Sequence, residues 1–181
     1  MDKRIFAVIA IAIAALTLGA MLGSGVGHVS VTETPTFSGD LLVAVESESG
    51  TVTYEVKNLV VTIGKTRVKD YLRVGTAAAD DPVDYISLSN DVTPLITWTQ
   101  LPTEIAADGL TRAQGTVTNV DEVEFTVSHK FTCTGTGVAV QCSGLQWAAS
   151  GDSNLWAAAT FTATTLNNGD NITITWTVTH N

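Results

Sequence analysis

Two cysteines are the side chains of this sequence whose spacing best suits a covalent reaction. Cys133 and Cys142 flank a stretch with Gly137-Val138 at its centre. A two-residue loop with glycine first satisfies a type II′ turn, and it would place the two cysteines opposite each other in a hairpin. Such a non-hydrogen-bonded pair has Cα atoms about 4.5 Å apart, at the short end of the disulfide range. The spacing therefore predicts a disulfide between Cys133 and Cys142.

Three aspartates in one short stretch offer oxygen ligands for a cation. Asp80, Asp81 and Asp84 surround Pro82, and carboxylate oxygens are ligands that Ca²⁺ prefers. The stretch lacks the alternating ligands and the turn glycine of an EF-hand loop, so a solvated turn is the favoured interpretation. Ca²⁺ is the one cofactor that this sequence suggests, and we predict no other.

The remaining polar residues do not indicate catalytic chemistry. The three histidines, His28, His129 and His180, are scattered without the spacing of metal ligands. The sequence contains no HExxH, GxSxG, GxGxxG or P-loop pattern. A formal net charge of -9 argues against a phosphate-binding face, because nucleic-acid binding needs clustered lysine and arginine. We expect neither an enzyme nor a nucleic-acid-binding protein.

Tryptophan side chains could form a surface on which sugar rings stack. Trp176 has the same phase as Ile172 and Ile174, so we predict that it belongs to the core. Trp147 lies in an irregular stretch and is the candidate for an exposed contact. The sequence thus predicts tryptophans in the hydrophobic core more than on a sugar-binding surface, with Trp147 as the exception.

The uncharged run 5–22 follows Lys3 and Arg4. At about 1.5 Å per helical residue this run is roughly 27 Å long, enough to cross a hydrocarbon core or to form the core of a signal peptide. Residues 1–22 are thus either a retained anchor or a cleaved signal, and both export the rest of the chain. The basic end precedes the run, so the positive-inside rule places the remainder outside the cell. We expect membrane contact through residues 5–22 and an extracellular or surface location.

Residues 23–39 link this run to the rest of the chain. The segment starts with glycines, and then Val29 and Val31 alternate with polar residues as in an edge strand. Pro35 cannot donate to a strand ladder, so this strand should lie at an edge or pair with another subunit. Two interpretations stay open. The segment either donates a strand to a neighbouring subunit, with Val29 and Val31 in its side-chain pockets, or it is a plain stalk.

Residues 40–181 have the size and pattern of one β domain. Along 123–133 and along 172–179, apolar and polar residues alternate, as expected for strands with one buried face. Residues 65–74 lack a clean period and indicate a polar strand or a short helix. Further strands, separated by turn residues, are predicted over 41–46, 51–57, 85–88, 95–99 and 155–163. The predicted fold class is all-β, an antiparallel β-sandwich or jelly roll preceded by one hydrophobic helix.

Three stretches of the C-terminal half carry a resemblance to a known class of proteins. The stretches 109–113 (GLTRA), 131–135 (FTCTG) and 166–173 (LNNGDNIT) resemble β-sandwich structural proteins of tailed viruses. The resemblance implies a virion-type structural role and carries over no site. The hydrophobic run 5–22 departs from those proteins, and it favours a surface filament or a membrane-containing virion.

Export, an all-β domain and the lack of catalytic motifs together predict a structural subunit of an extracellular assembly. The assembly would be a surface filament, a pilus or a virion component. Its main partner would be the protein itself, in a homo-oligomer or a filament. The alternative is a membrane-tethered adhesin or a module that binds carbohydrate or protein.

Overall fold

The computed structural model describes residues 37–74, 82–91 and 93–180. This part of the chain is all-β, as predicted, with ten strands and one helix. The strands are β1 (Phe37–Ser47), β2 (Gly50–Lys57), β3 (Leu59–Val60), β4 (Tyr85–Ser89), β5 (Ala113–Gln114), β6 (Thr116–Asn119), β7 (Glu124–Thr132), β8 (Val138–Gln146), β9 (Leu155–Leu166) and β10 (Asn171–His180). The helix α1 (Thr62–Val74) follows β3.

The ten strands form two antiparallel sheets of five strands each. Sheet A has the order β2-β1-β10-β7-β6, and sheet B has the order β3-β9-β8-β4-β5. Apolar side chains from both sheets meet in one main core. The two sheets therefore pack face to face as a sandwich.

Sheet A has the alternation that the sequence predicted. In β10, Ile172, Ile174, Trp176 and Val178 are all buried in the main core. The threonines between them point to the opposite face, because successive side chains of a strand alternate. The indole Nε1 of Trp176 donates to Ser143 Oγ of sheet B at 3.2 Å, so the core side of β10 also contacts the facing sheet through a polar bond.

The strands predicted over 41–46 and 51–57 are confirmed as β1 and β2, and they form a hairpin. They pair from Asp40–Lys57 to Ser47–Gly50, and the glycine has the positive φ of 122° that a tight connection requires. After Lys57 the chain passes through Asn58, whose N–H donates to Gly39 O at 3.3 Å, and then enters sheet B. This passage explains why the apolar phase changes after Lys57.

Sheet B is buried on both faces. Ala157, Ala159 and Phe161 of β9 face the main core. On the opposite face Leu155 and Ala158 pack in a second cluster with Val61, Leu101 and Cys142. Segment 93–110 and the start of α1 contribute to this second cluster, so they cover the outer face of sheet B.

The outer cover of sheet B confirms one prediction and shows that another is wrong. Residues 65–74 belong to α1, so the helical alternative is confirmed. Residues 95–99 were predicted to form a strand, and this prediction is wrong. They form a turn, in which Trp98 N–H donates to Leu95 O at 3.0 Å. Trp98 packs against the second cluster, so the apolar residues of this stretch help to cover the outer face of sheet B.

The hairpin predicted across Gly137-Val138 is also wrong. β7 lies in sheet A and β8 in sheet B, and Cys142 pairs with Ser89 and Thr160 instead of Cys133. Both cysteines are buried free thiols. Gly137 does have a positive φ of 71°, but its turn connects the two sheets. The alternation of apolar and polar residues indicates which face of a strand is buried, but it does not indicate which other strand pairs with it.

Among the described residues, no helix is both long enough and apolar enough to span a membrane. The run 5–22, predicted to contact the membrane, lies outside the described residues, as does most of the predicted tether at 23–39.

Candidate assembly site

The predicted site residues fall into two groups. Val29, Val31, Asp80 and Asp81 lie outside the described residues. Asp84, Trp147 and the two cysteines are described, and the structure places them in separate parts of the fold. No cluster of three potential metal-ligating side chains occurs in the described ranges.

Asp84 is almost completely buried just before β4. Its Oδ2 accepts a hydrogen bond from Gln114 Nε2 at 2.7 Å, and its backbone oxygen accepts one from Gly115 N–H at 2.7 Å. These two bonds connect the start of β4 to the short edge strand β5. Asp84 therefore has a structural partner of its own within the described chain.

Trp147 is half-buried at the end of β8 and packs against the main core. The guanidinium carbon of Arg67, on α1, lies 4.6 Å from the centre of the indole ring. A cation over an aromatic face is an attractive contact. This contact connects α1 to the loop after β8, and it covers part of the ring that the sequence offered as an exposed contact.

The thiol of Cys142 lies in the second cluster, under the cover of sheet B. Burial and, to a smaller extent, the negative charge of Asp91 together raise the pKa of this thiol from 9.0 to about 12. The thiolate is the reactive form of cysteine. Cys142 is therefore a neutral packing residue at physiological pH.

Arg112 holds the long loop between β8 and β9 in place through an ion pair and two hydrogen bonds. Its guanidinium forms a two-pronged ion pair with Glu104, with Nε to Oε1 at 2.9 Å and Nη2 to Oε2 at 2.5 Å. Its Nη1 donates to Ala148 O at 3.1 Å and to Asn154 Oδ1 at 3.3 Å. The Arg112 side chain is 7% exposed, and a buried pair of this geometry holds its neighbours in place. Both ends of the loop 148–154 are thus bonded to one side chain.

The stretches 109–113, 131–135 and 166–173 meet at one end of the sandwich. Thr134 N–H donates to Asp108 O at 2.9 Å, and Cys133 N–H donates to Asp170 O at 2.8 Å. Gly169 N–H in turn donates to Cys133 O at 2.8 Å. A Cβ on Gly109 would collide with the backbone oxygen of Thr132. Gly109 therefore allows two turns to approach each other backbone to backbone.

The outer face of sheet A is polar and uncovered by other described elements. Its side chains are mostly hydroxyls and paired charges. Ser128 and Thr175 hydrogen-bond across two strands at 2.9 Å, and Lys130 pairs with Glu46 at 2.7 Å. Thr179 donates to Glu124 at 3.3 Å. Because these groups are bonded to one another, the face needs no further partner to satisfy them.

Strand edges are the other place where another chain could attach, because an edge presents unpaired backbone groups. Three edge strands are short, with two residues in β3, two in β5 and four in β6. The fourth, β2, has eight residues and carries Glu55 and Lys57. Short length and charge are the usual protections of an edge. These four edges are therefore protected.

The outer edge of β9 lacks that protection. β3 pairs with β9 only at Ala157 and Ala158, so residues 160–166, here named the free edge, have no strand partner on that side among the described residues. The whole of β9, LWAAATFTATTL, contains no charged residue and no proline. Thr162, Ala163 and Thr165 are exposed. The free edge is thus an uncharged strand edge with exposed side chains, and it is interrupted by a bulge at 161–163, where the pairing with β8 shifts register.

The free edge lies beside β2 of sheet A. The rings of Tyr54 in β2 and Phe161 in β9 stack with centroids 6.4 Å apart. Val52 points toward the sandwich interior, since it pairs with the buried Val45, yet it is 51% exposed. An inward valine left half exposed means that the core is incompletely covered here. We name this region, with Val52, Tyr54 and the free edge, the open flank.

Sequence reasoning predicted a strand over 155–163 but did not single out its edge. The signal was present, because a twelve-residue strand without charge or proline has no residue to protect an edge. The same composition also suits a central strand with two neighbours. Only the position of β9 in sheet B separates these two cases.

Comparisons with known proteins add no relative. No protein-family model, no curated protein and no solved structure matches this chain.

Proposed function

We propose that this protein is a structural subunit of an extracellular assembly, either a surface filament or a virion component, which its N-terminal hydrophobic run directs out of the cell. The observation that carries the proposal is the free edge of β9, a long uncharged strand edge beside a half-exposed core valine. Subunits that join through added strands need such an edge. A protein that works as a monomer is expected to protect it.

The fold itself supports a passive role. Two sets of buried polar groups bond within the structure, in the pairs Arg112–Glu104 and Asp84–Gln114. Catalytic groups instead converge on a shared cleft. An assembly subunit requires stable surfaces and accessible edges, and the sandwich supplies both.

The alternative is a tethered adhesin or ligand-binding module. A groove of about 220 Å³ beside the β6–β7 turn is lined by Val123, Phe125 and Val178 together with acidic residues. Ligand pockets for drug-sized molecules usually measure about 300 to 1,000 Å³. The groove is smaller than that.

Electron microscopy and light scattering of the native protein, purified from its source membrane or medium, test the proposal. We expect regular filaments or particles whose mass is many times that of one chain. A monodisperse monomer that binds a soluble sugar or protein would reject the proposal and support the adhesin.

A further inference from the structure

One motif at the start of β10 has no role in the core or at the free edge. Asn171-Ile172-Thr173 is the only stretch of this sequence with the pattern N-x-S/T, in which x is not proline. This pattern is the acceptor for N-linked glycans in exported proteins. Its use depends on where the fold places the asparagine and the hydroxyl residue, and the structure describes both.

The motif lies on the outer face of sheet A. Ile172 is completely buried in the main core, and successive side chains of a strand point to opposite faces. Asn171 and Thr173 therefore share the outer face, which no other described element covers. Asn171 is the first residue of β10 and directly follows the turn 167–170. The acceptor asparagine is thus at the end of a strand, on the side that contacts solvent.

The side-chain amide of Asn171 is oriented by one hydrogen bond. Thr132 Oγ1 donates to Asn171 Oδ1 at 2.8 Å. Asn171 Nδ2, the atom that would carry the sugar, has no hydrogen-bond partner among the described residues, and it is not one of the buried unpaired atoms. The acidic neighbour on β1, Glu46, is already paired with Lys130. The amide nitrogen is therefore available on the outer face.

We infer that Asn171 carries an N-linked glycan and that the outer face of sheet A is the outward face of the assembled protein. This inference rests on the proposed function, because glycans are added to such motifs on exported chains. It adds to that function the face that the subunits leave uncovered. An N-linked glycan is bulky and hydrated, so it keeps this face out of the contacts between subunits.

The reaction needs a membrane transferase and a sugar donor, which is an oligosaccharide activated on a lipid diphosphate. Asn171 Nδ2 attacks the anomeric carbon of the first sugar and forms the new C–N bond. The bond from that carbon to the diphosphate oxygen breaks, and the lipid diphosphate leaves with the electron pair. The amide nitrogen gives up one proton to a base of the transferase. The Thr173 hydroxyl is the second group of the motif that the transferase recognises.

The order of the strands gives the transferase access to the motif. β10 comes after all the other described strands in the chain, and it pairs with β1 and β7 in the finished sheet. Before this pairing the backbone around Asn171 is free to enter an active site. The glycan then stays in solvent when the strand joins the sheet, because Ile172 enters the core and Asn171 does not.

Peptide mapping by mass spectrometry of the native protein, and of full-length variants produced in the same cells, tests the inference. We expect the peptide that contains Asn171 to carry an added mass made of sugar residues. Thr173→Val should lose this mass, because it keeps the asparagine and the β-branched shape but removes the hydroxyl, whereas Thr173→Ser should keep it. If Thr173→Val does not accumulate, Asn171→Gln serves and should lose the mass as well.

The matched control is Asn168→Gln. Asn168 is an exposed asparagine of the adjoining turn, but no serine or threonine stands two positions after it. This variant should keep the sugar mass on Asn171. A mass that disappears in Asn168→Gln and persists in Thr173→Val would place the modification outside the motif and overturn the inference.

A second measurement tests which way the face points. Periodate oxidises the neighbouring hydroxyls of sugars to aldehydes, and a hydrazide probe then labels these aldehydes. We expect intact wild-type assemblies to be labelled as fully as dissociated ones, and Thr173→Val assemblies to remain unlabelled. Labelling of the wild type only after dissociation would mean that Asn171 lies between subunits, and it would overturn the assignment of the outward face.

The outcomes separate this inference from the proposed function. An exported and assembled protein whose Asn171 peptide has no added mass would overturn the inference and leave the proposed function standing. A glycosylated chain that stays a monomer would keep the modification site and remove the assembly. A chain that is never exported would remove both.

Discussion

The outer faces of the two sheets differ in what covers them. On sheet A the outward side chains are mostly hydroxyls and ion pairs in contact with solvent, such as Thr175 and Lys130. On sheet B the outer face lies under α1 and segment 93–110, with Ala158 and Cys142 fully buried. A sheet covered on one side produces alternating strands, and a sheet covered on both sides produces continuous apolar runs. The sequences of β10 and β9 show this contrast within one sandwich.

The comparison teaches where substitutions should be tolerated. The buried inward positions of both sheets and the buried outward positions of sheet B are packed, so changes in volume there cost stability. Outward positions of sheet A contact water and tolerate change. The predictions below test this difference, beginning with the largest expected effect.

The largest effect is expected where the two sheets meet. Trp176 is fully buried and donates to Ser143 across the core. Trp176→Ala should lower the free energy of unfolding by about 3 to 5 kcal/mol, because a large cavity replaces the indole. Chemical denaturation measures this loss. Trp176→Phe is the control, and it should cost about 1 to 2 kcal/mol, since most of the volume remains and one buried hydrogen bond is lost. Equal losses in both variants would contradict the packing argument.

A matched pair of leucines tests the two outer faces directly. Ala158→Leu adds volume beneath the cover of sheet B and should cost about 1 to 3 kcal/mol through overpacking. Thr53→Leu introduces a leucine on the exposed outer face of sheet A, and it should change the free energy of unfolding by at most about 0.5 kcal/mol. Both values come from denaturant unfolding. If Ala158→Leu is as harmless as Thr53→Leu, the outer face of sheet B is not packed.

Because Cys142 is buried beneath the cover of sheet B, the free energy of unfolding should fall as the pH becomes alkaline. The pKa of Cys142 is raised to about 12 in the folded protein and is 9.0 in the ordinary thiol. The unfolded chain therefore loses this proton first, so the stabilising contribution is complete below pH 9 and declines from there toward pH 12. Between about pH 8 and pH 10 we expect a loss on the order of 1 kcal/mol. Cys142→Ala should remove this part of the decline, and Cys133→Ala should retain it. An identical pH profile in both variants would refute the assignment.

The smallest effect is expected for the ion pair on sheet A. Lys130 and Glu46 lie 2.7 Å apart, but their side chains are about half exposed. Lys130→Ala should cost less than about 1 kcal/mol, and the difference should shrink at high salt because water and ions screen the pair. Denaturation at low and at high salt measures both values. A loss above 2 kcal/mol that does not change with salt would mean that this face is covered.

The sequence predicted the singly covered sheet better than the doubly covered one. The strands around β10 and β7, the first hairpin and the all-β class follow from alternation and turn residues. The sequence did not predict which strand pairs with β8. The alternation around Cys133 and Cys142 is the same whether their two strands pair in one sheet or belong to opposite sheets. Residues 95–99 were misassigned for a related reason, since a covering loop needs apolar residues as much as a strand does.

The candidate site was the least predictable part. An edge is a property of strand order, and the order is set by contacts distant in sequence. The uncharged composition of β9 was visible, but only the two-residue pairing with β3 shows that its second half is unpaired. The Cys133–Cys142 pairing failed for lack of the same information about strand neighbours.

The position of β10 between β1 and β7 has a consequence for how the protein folds. Without β10, sheet A separates into two independent hairpins, β1–β2 and β6–β7. The pairing of Phe37 with His180 closes nearly the whole described chain into one loop, and pairings this distant slow folding. Until β10 leaves the ribosome, the apolar faces of both hairpins stay open to chaperones and to aggregation. The strand order therefore delays completion of the fold until translation has passed residue 180.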